Sequence, residues 1–570
     1  MTDPYPEHMM ESVRRVNATR DERKDMEFDR IPEEESDELL RQWHPDYRKS
    51  DAAFFRELAV GPAKGKIVPT EVANVLEAHP RVNPSDVDLS EVEYSTELLV
   101  IGTGGAGLSA ILWANNEGIA MEDILVSTAL RLGDSNSKMS QGGIQACDGK
   151  DDSPMIHWLD VLSGGHWTND RPLARDLVEK GPLAIKWLES LGATFDKEQD
   201  GDMQLLMAGG ASRKRIHSCK DYTGLELTRV LMDEALSRDV NTLEFCPTVS
   251  LLTDGSGAVA GGLLWNMETE EYHVVRSKAT VIATGGFGRL HVAGFPTTNH
   301  YAATCDGLVS AYRVGADIIH MQSTQYHPTG AAYPEQIVGL LVTEKCRSMG
   351  AQLVNDDGEA FIYPLEPRDV ESAAELKEIG EGRGITTPTG QDGIWLDTPM
   401  IDKKRGEGAL EDGLAAIYRL FTRFGIDPTE YPVLVHPTLH YQNGGIAINR
   451  DTQVVKPDGS PIENLFASGE TTGGVHGDNR LMGNSWLEIV VFGRKSGISA
   501  AKHAKKAKMP KKSDLSLAHL DKYSKELEEA GIETERRTPI ILPNYLGENT
   551  MKATGYGKEK PFKRRLDLFA

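Results

Sequence analysis

The stretch VIGTGGAGLSA at 100–110 constrains this chain more than any other. Leu98–Ile101 is an apolar run rich in branched residues, Gly102, Gly104 and Gly107 follow, and an alanine- and leucine-bearing segment continues through Ala114. The pattern predicts strand, tight turn and helix. Gly102 permits the turn, Gly104 lets the backbone close on a pyrophosphate, and Gly107 lets helix and strand pack. The helix N-terminus then faces the phosphates. A plain tight turn produces the same spacing, so the rest of the chain decides its meaning. Residues 93–130 read as a βαβ unit whose second strand, Ile124–Val126, runs into Ser127. An acidic residue at that point would suit a simple NAD site; serine disfavours one but can still meet a sugar.

Charge and cysteine usage narrow the function classes. The 570 residues carry a net charge of -24, which leaves no dominant basic field for nucleic acid. Cys147, Cys219, Cys246, Cys305 and Cys346 form no CxxC pair, so no zinc or iron–sulfur site of the chain's own is expected, and scattered thiols suit a reducing compartment. No basic segment followed by an apolar run opens the sequence, and no apolar stretch approaches the ~20 residues of a membrane span. A cytoplasmic setting is expected.

Residues 1–92 read as a polar, solvated or partner-covering extension, with an acidic cluster at Asp29, Glu33, Glu34, Glu35, Asp37 and Glu38 and a short helix within Pro69–Ala78. Helical spacing runs through 154–195, and Phe245–Leu252 and Val259–Trp265 read as strands. VIATGGFG (281–288) and LFASGE (465–470) repeat the strand-then-glycine style. Between them lies a block rich in reactive residues, with an apolar helical stripe across 408–424. One nucleotide domain interrupted by a second domain accounts for this order, with the reactive block at the junction. Beyond Ala500 come a lysine run at 502–512, a short amphipathic helix at Leu517–Leu527, an extended PIILPNY (539–545) and a basic tail.

Taken together, GTGGAG (102–107), SQGGI (140–144), ATGG (283–286), QYHPTG (325–330), TEKCR (343–347), PRD (367–369), HYQNGG (440–445) and NRLMGNS (479–485) resemble the flavoprotein subunit of the fumarate reductase and succinate dehydrogenase family. L-aspartate oxidases share the framework. The resemblance implies an α/β fold: a glutathione-reductase-like FAD-binding domain in two parts, 93–321 and 439–500, with an inserted α+β capping domain at 322–438. The extension 1–92 and a short tail, 501–570, complete the chain, so the C-terminal helical region is reduced.

It also implies residue roles. His327, Thr343, His440 and Arg480 correspond to the dicarboxylate-binding set. Arg368 corresponds to the arginine that exchanges a proton with substrate carbon, with Glu344 and Arg347 as its relay. An arginine fork suits a carboxylate, but a guanidinium with its pKa above ~12 exchanges protons only through a neighbour. Arg347 has the alternative of pairing with the acidic extension, Asp369 reads as a helix-start residue, and Arg494 as structural. On the cofactor side the counterparts are Gly102, Gly104, Gly105, Gly107, Ser127, Gln141, Gly142, Gly143, Asp306, Glu470, Asn484, Ser485 and Leu487. Asp306 has a helix cap as its alternative role, and His217 is a further candidate.

Three departures carry expectations. Asn136 stands where membrane-complex members attach FAD to a histidine, so FAD is expected to be non-covalent and fumarate reduction favoured. Ala208 stands where a phenylalanine is usual, and the Glu344–Arg368 gap is short; both bear on which acid fits. With no electron carrier of its own, the chain needs a partner, first an iron–sulfur subunit, and meets the membrane's cytoplasmic face only through partner subunits.

Overall fold

Branched side chains favour a pleated, two-sided burial, and the strand Tyr94–Ile101 sits at the middle of the larger sheet. This computed structural model describes residues 3–542. Tyr94–Ile101 pairs in parallel with Ile124–Ser127 on one side and Glu271–Ile282 on the other. Asn241–Leu243 and Pro461–Ala467 extend the parallel core at its two edges. Thr248–Thr253 and Val259–Asn266 add an antiparallel meander to Glu271–Ile282. The helices Gly105–Asn116 and Asn484–Ala504 pack on each other and against this sheet.

The turn between strand and helix obeys the glycine reading. Gly102 has φ +101°, and a Cβ there would lie 2.3 Å from the Ala283 carbonyl oxygen. A Cβ on Gly107 would lie 2.0 Å from the Gly102 carbonyl oxygen. Gly107 therefore sets how closely helix and strand approach.

A second, antiparallel sheet is built from Thr324–Ala331, Val433–Gln442, Asp392–Asp397 and Gln352–Val354. The helix Arg368–Gly380 lies against it, and one apolar cluster joins sheet and helix.

Residues 1–92 do not form the solvated extension that their polarity suggested. Met9, Met10, Val13 and Val16 of the helix Glu7–Lys24, with Leu40 of Glu33–Trp43, are buried in the core of the second sheet. Arg20 and Arg23 converge on the fully buried Asp397 at 2.7 and 2.9 Å, and Trp395 donates its indole N–H to Ser12. Farther on, Phe54–Leu76 joins the core of the parallel sheet. The charges dominate the composition, but a few apolar residues on each helix, together with Arg23 paired to Asp397, are enough to bury one side of it.

Smaller differences have local causes. Residues 154–195 form two helices, Pro154–Gly164 and Arg171–Ser190, parted where His166 and Trp167 take positive φ. The strand expected from Phe245 starts at Thr248, because Phe245 is itself left-handed at φ +51°. The helix expected at 517–527 runs Ala518–Glu529. Residues 543–545 of PIILPNY and the basic tail lie outside the described residues. Among the described residues, no helix is long and apolar enough to cross a membrane.

Candidate active site

A long cleft opens where the glycine turn, the strand ends and the second sheet meet. Gly102, Gly104 and Gly105 line it beneath the N-terminus of Gly105–Asn116, and Ser127 and Thr128 line the strand end beside them. Asn136, Asp306, Glu470 and Ser485 lie along its length, and His440 and Arg480 close the far end. A helix N-terminus for a diphosphate, strand-end hydroxyls for a sugar, and a long slot ending at a cationic cluster fit a dinucleotide cofactor of FAD's length.

The cationic end is assembled from two adjacent strands, Thr324–Ala331 and Val433–Gln442, a helix start, and the loops that carry Glu344 and Arg480. Arg368 is the first residue of Arg368–Gly380, set by Pro367 before it. Its Nε donates to Glu344 Oε2 at 2.9 Å and its Nη1 to Gln325 Oε1 at 2.9 Å. Arg480 Nη2 donates to the same Gln325 oxygen at 2.8 Å, and its guanidinium lies 4.3 Å from the centre of the Tyr441 ring. His327 and His440 face each other edge to face with ring centres 4.9 Å apart. His440 Nδ1 is 2.7 Å from Thr298 Oγ1, and Thr329 N–H donates to His327 Nδ1 at 3.1 Å.

Electrostatics follow from burial among cations. Burial, reinforced by Arg368 and by one another's neighbouring cations, holds His327 and His440 well below the usual imidazole range, so both are neutral. Burial brings Arg480 down to about 10, with Arg368 adding to the effect. Glu344 is opposed by burial, yet Arg368, Arg347 and the Gly209 N–H, which donates to it at 2.7 Å, together hold its carboxyl low. Arg347 Nη1 bonds Glu371, and its Nη2 lies 3.5 Å from Glu344. Arg347 thus pairs with Glu371 and Glu344 and not with the acidic extension. A site with two guanidiniums, two neutral imidazoles and one ionised carboxylate suits a small dianion.

The family model for an FAD binding domain matches residues 97–486. One subunit of the fumarate reductase (CoM/CoB) of Methanothermobacter marburgensis is 36% identical over 420 residues, 72% of this chain and 73% of that protein. The L-aspartate oxidase of Streptomyces coelicolor is 34% identical, covering 70% and 67% respectively. Among solved structures, an E. coli quinol fumarate reductase aligns with TM-score 0.67 and 29% identity over 76% of this chain and 74% of that one. The chain belongs to the fumarate reductase and succinate dehydrogenase flavoprotein family. L-aspartate oxidases belong to the same superfamily.

In this flavoprotein chain, several residues expected at the cofactor sit outside the cleft lining. Gly107 is a packing contact. Asn484 Oδ1 lies 3.2 Å from His157 Nε2, and Leu487 is in the core. Gly142 lies beside Met482 and Thr343, and Gly143 against Ile216 and the His217 carbonyl. The buried Gln141 Oε1 and Asn484 Nδ2 lack hydrogen-bond partners, so both retain capacity toward a ligand. Ser127 lines the cleft, but its hydroxyl donates to the Cys246 carbonyl at 2.6 Å. Asp306 opens the helix Asp306–Arg313 and accepts from Thr304 at 2.9 Å; burial raises its carboxyl to about 7. Asn136 Nδ2 donates to Asn299 and Glu470 at 3.0 and 3.2 Å.

The short Glu344–Arg368 spacing does not part these residues. Ala208 is fully buried beside Ala211, Ile216 and Met482. Asp369 sits in the first turn as read, and also accepts from His166 and Asn479 at 2.6 and 3.0 Å. Arg494 stacks over Trp113 at 4.3 Å, and His217 Nε2 lies 3.2 Å from Asp148. The bridging role of Gln325 escaped sequence reasoning, although this residue opens the QYHPTG motif. Only the fold shows its amide oxygen between two guanidiniums.

Proposed function

We propose that the chain is the catalytic flavoprotein subunit of an enzyme that interconverts fumarate and succinate, favouring fumarate reduction. The observation that carries this reading is the convergence of Arg368 and Arg480 on Gln325 Oε1, with Glu344 against Arg368. When bound, FAD supplies hydride chemistry at N5 toward one alkene carbon.

The side chains supply the rest. Arg480 and His440 bind one carboxylate, and His327 and Thr343 the other. Neutral imidazoles donate hydrogen bonds without adding charge, which keeps the dianion's affinity moderate. Arg368 gives its proton to the second alkene carbon and regains one through Glu344 and Arg347. A guanidinium acts as an acid here because its neighbour in the dry site returns the proton at once. Asn136 has no ring nitrogen to bond a flavin carbon, so FAD is held non-covalently. The electron partner we assign is an iron–sulfur subunit, in a complex at the cytoplasmic face of the membrane.

The test is purification of the chain with its native partners and assay in both directions. Fumarate-driven oxidation of reduced viologen, faster than succinate-driven dye reduction, is the expected result. A second reading rests on the L-aspartate oxidase relative: peroxide formed from aspartate under air, with no fumarate turnover, would replace the first.

A further inference from the structure

The relay around Arg368 does not end where its members suggest. Arg347 has no exposed side-chain surface, so it has no direct exchange with water. Its Nη1 instead donates to both carboxylate oxygens of Glu371. Arg368, Glu371 and Glu375 are three and four residues apart on the helix Arg368–Gly380, so they follow one another along one face. Glu371 and Glu375 are fully buried. Neither oxygen of Glu375 has a hydrogen-bond partner.

Two carboxyls one turn apart in a dry interior do not both ionise. Arg347 already balances Glu371 and faces Glu344, which also pairs with Arg368. The charged groups facing Glu371 are Arg347, Glu344, Arg368 and Glu366; those facing Glu375 are Glu371 and Arg347. Among the described residues no cation remains for Glu375 alone, and an ionised, unbonded carboxylate there would cost far more than holding a proton. Burial accordingly pushes Glu375 well above the usual carboxyl range, with Glu371 adding to the effect.

We propose that Glu375 is protonated in the resting protein and that the Glu371–Glu375 pair is a proton store which resupplies Arg368 through Arg347 and Glu344. This rests on the fumarate-reduction reading. In that direction the net transfer is one proton, from the Glu375 carboxyl group to the substrate carbon opposite the one that receives hydride. Each N–H bond broken at Arg368 and Arg347 is remade by the hop behind it, and the carboxylates of Glu344 and Glu371 each gain an O–H bond and give it up again. Both electrons of the reduction arrive with the hydride, so of these side chains only Glu375 changes charge; it is as buried as Arg347 and regains its proton from solvent only when this helix face opens between turnovers. In succinate oxidation the proton runs the other way. Glu375 touches no substrate and acts only through its neighbours.

The experiment compares the full chain, with its flavin, and the isosteric variant Glu375→Gln. Infrared spectroscopy near neutral pH is expected to show a protonated-carboxyl C=O band in the wild type that E375Q lacks. Fumarate KM is expected to hold within about twofold while kcat falls about tenfold or more, the scale of an impaired acid–base step, and the solvent deuterium effect on kcat rises. Glu375→Asp restores most of kcat, whereas Glu375→Leu, which fills the space without an acid, does not. A wild type without the band, a band unchanged in E375Q, or E375Q with wild-type kcat overturns the store. A wild type that shows the band but turns over no fumarate refutes the fumarate reading and leaves the protonated pair standing.

Discussion

Arg368 and Arg480 donate to one and the same atom, the Gln325 amide oxygen, at 2.9 and 2.8 Å. Two guanidiniums held this close repel each other, and the shared acceptor offsets that repulsion while fixing their spacing. Replacing Gln325 with Leu removes the acceptor and leaves two buried charged donors short of a partner. That loss is worth about 1–3 kcal/mol, so kcat/KM for fumarate is expected to fall by roughly 5- to 150-fold with flavin content unchanged. Steady-state viologen assays measure it; an unaltered kcat/KM removes Gln325 from the site.

Arg368→Gln keeps a hydrogen-bonding side chain but deletes the transferable proton. Turnover is expected to drop by about 10²- to 10⁴-fold, the scale of general acid catalysis, while flavin absorbance and fumarate binding persist. Turnover near the wild-type value would take the proton away from Arg368.

Asn136 spends its side-chain amide on Asn299 and Glu470 and accepts the His300 N–H. Acid precipitation of the purified protein is expected to leave all flavin in the supernatant. Yellow colour retained in the washed pellet would show a covalent bond and end the argument from this residue.

Asp397 carries the N-terminal helix. It is fully buried and meets both Arg20 and Arg23. Asp397→Ala leaves the buried Arg23 without its counter-charge, a loss of about 3–5 kcal/mol. A lower Tm is expected, together with faster protease cleavage near residue 25. A Tm within a degree of wild type would mean that the apolar contacts alone hold the helix.

Buried histidines set the acid limit. Burial brings His44, His157, His291 and His519 down to about 4 and His436 to about 3. The unfolded chain protonates each near 6.5, whereas the folded chain refuses the proton until about pH 4. Stability is therefore present above pH 6.5 and is lost on acidification, by about 1.4 kcal/mol per pH unit for each such imidazole. His166, raised to about 9 by Asp369, has the opposite sign: its stabilisation grows as pH falls from about 9 towards 6.5, so between pH 7.5 and 5.5 it offsets about one imidazole's loss and leaves the rest uncompensated. Thermal melts at pH 7.5 and 5.5 check this, with the lower Tm expected at 5.5. A Tm indifferent to pH would mean that these imidazoles titrate in the folded chain.

What the sequence determined by itself was local. A strand, a glycine turn and a helix follow one another because their constraints lie within a few residues, so VIGTGGAGLSA could be read directly. The proline before Arg368 and the motif order were legible for the same reason, and they were enough to name the family. Tertiary structure decided what depends on distant neighbours. Residues 1–92 are rich in charge and read as solvated, yet Asp397, far along the chain, gives Arg20 and Arg23 a buried partner. Glu371 and Glu375 look like the exposed face of a charged helix until Arg347 is placed beside them. Burial and pairing across hundreds of residues set the free energy of a charge, and no window of sequence contains both partners.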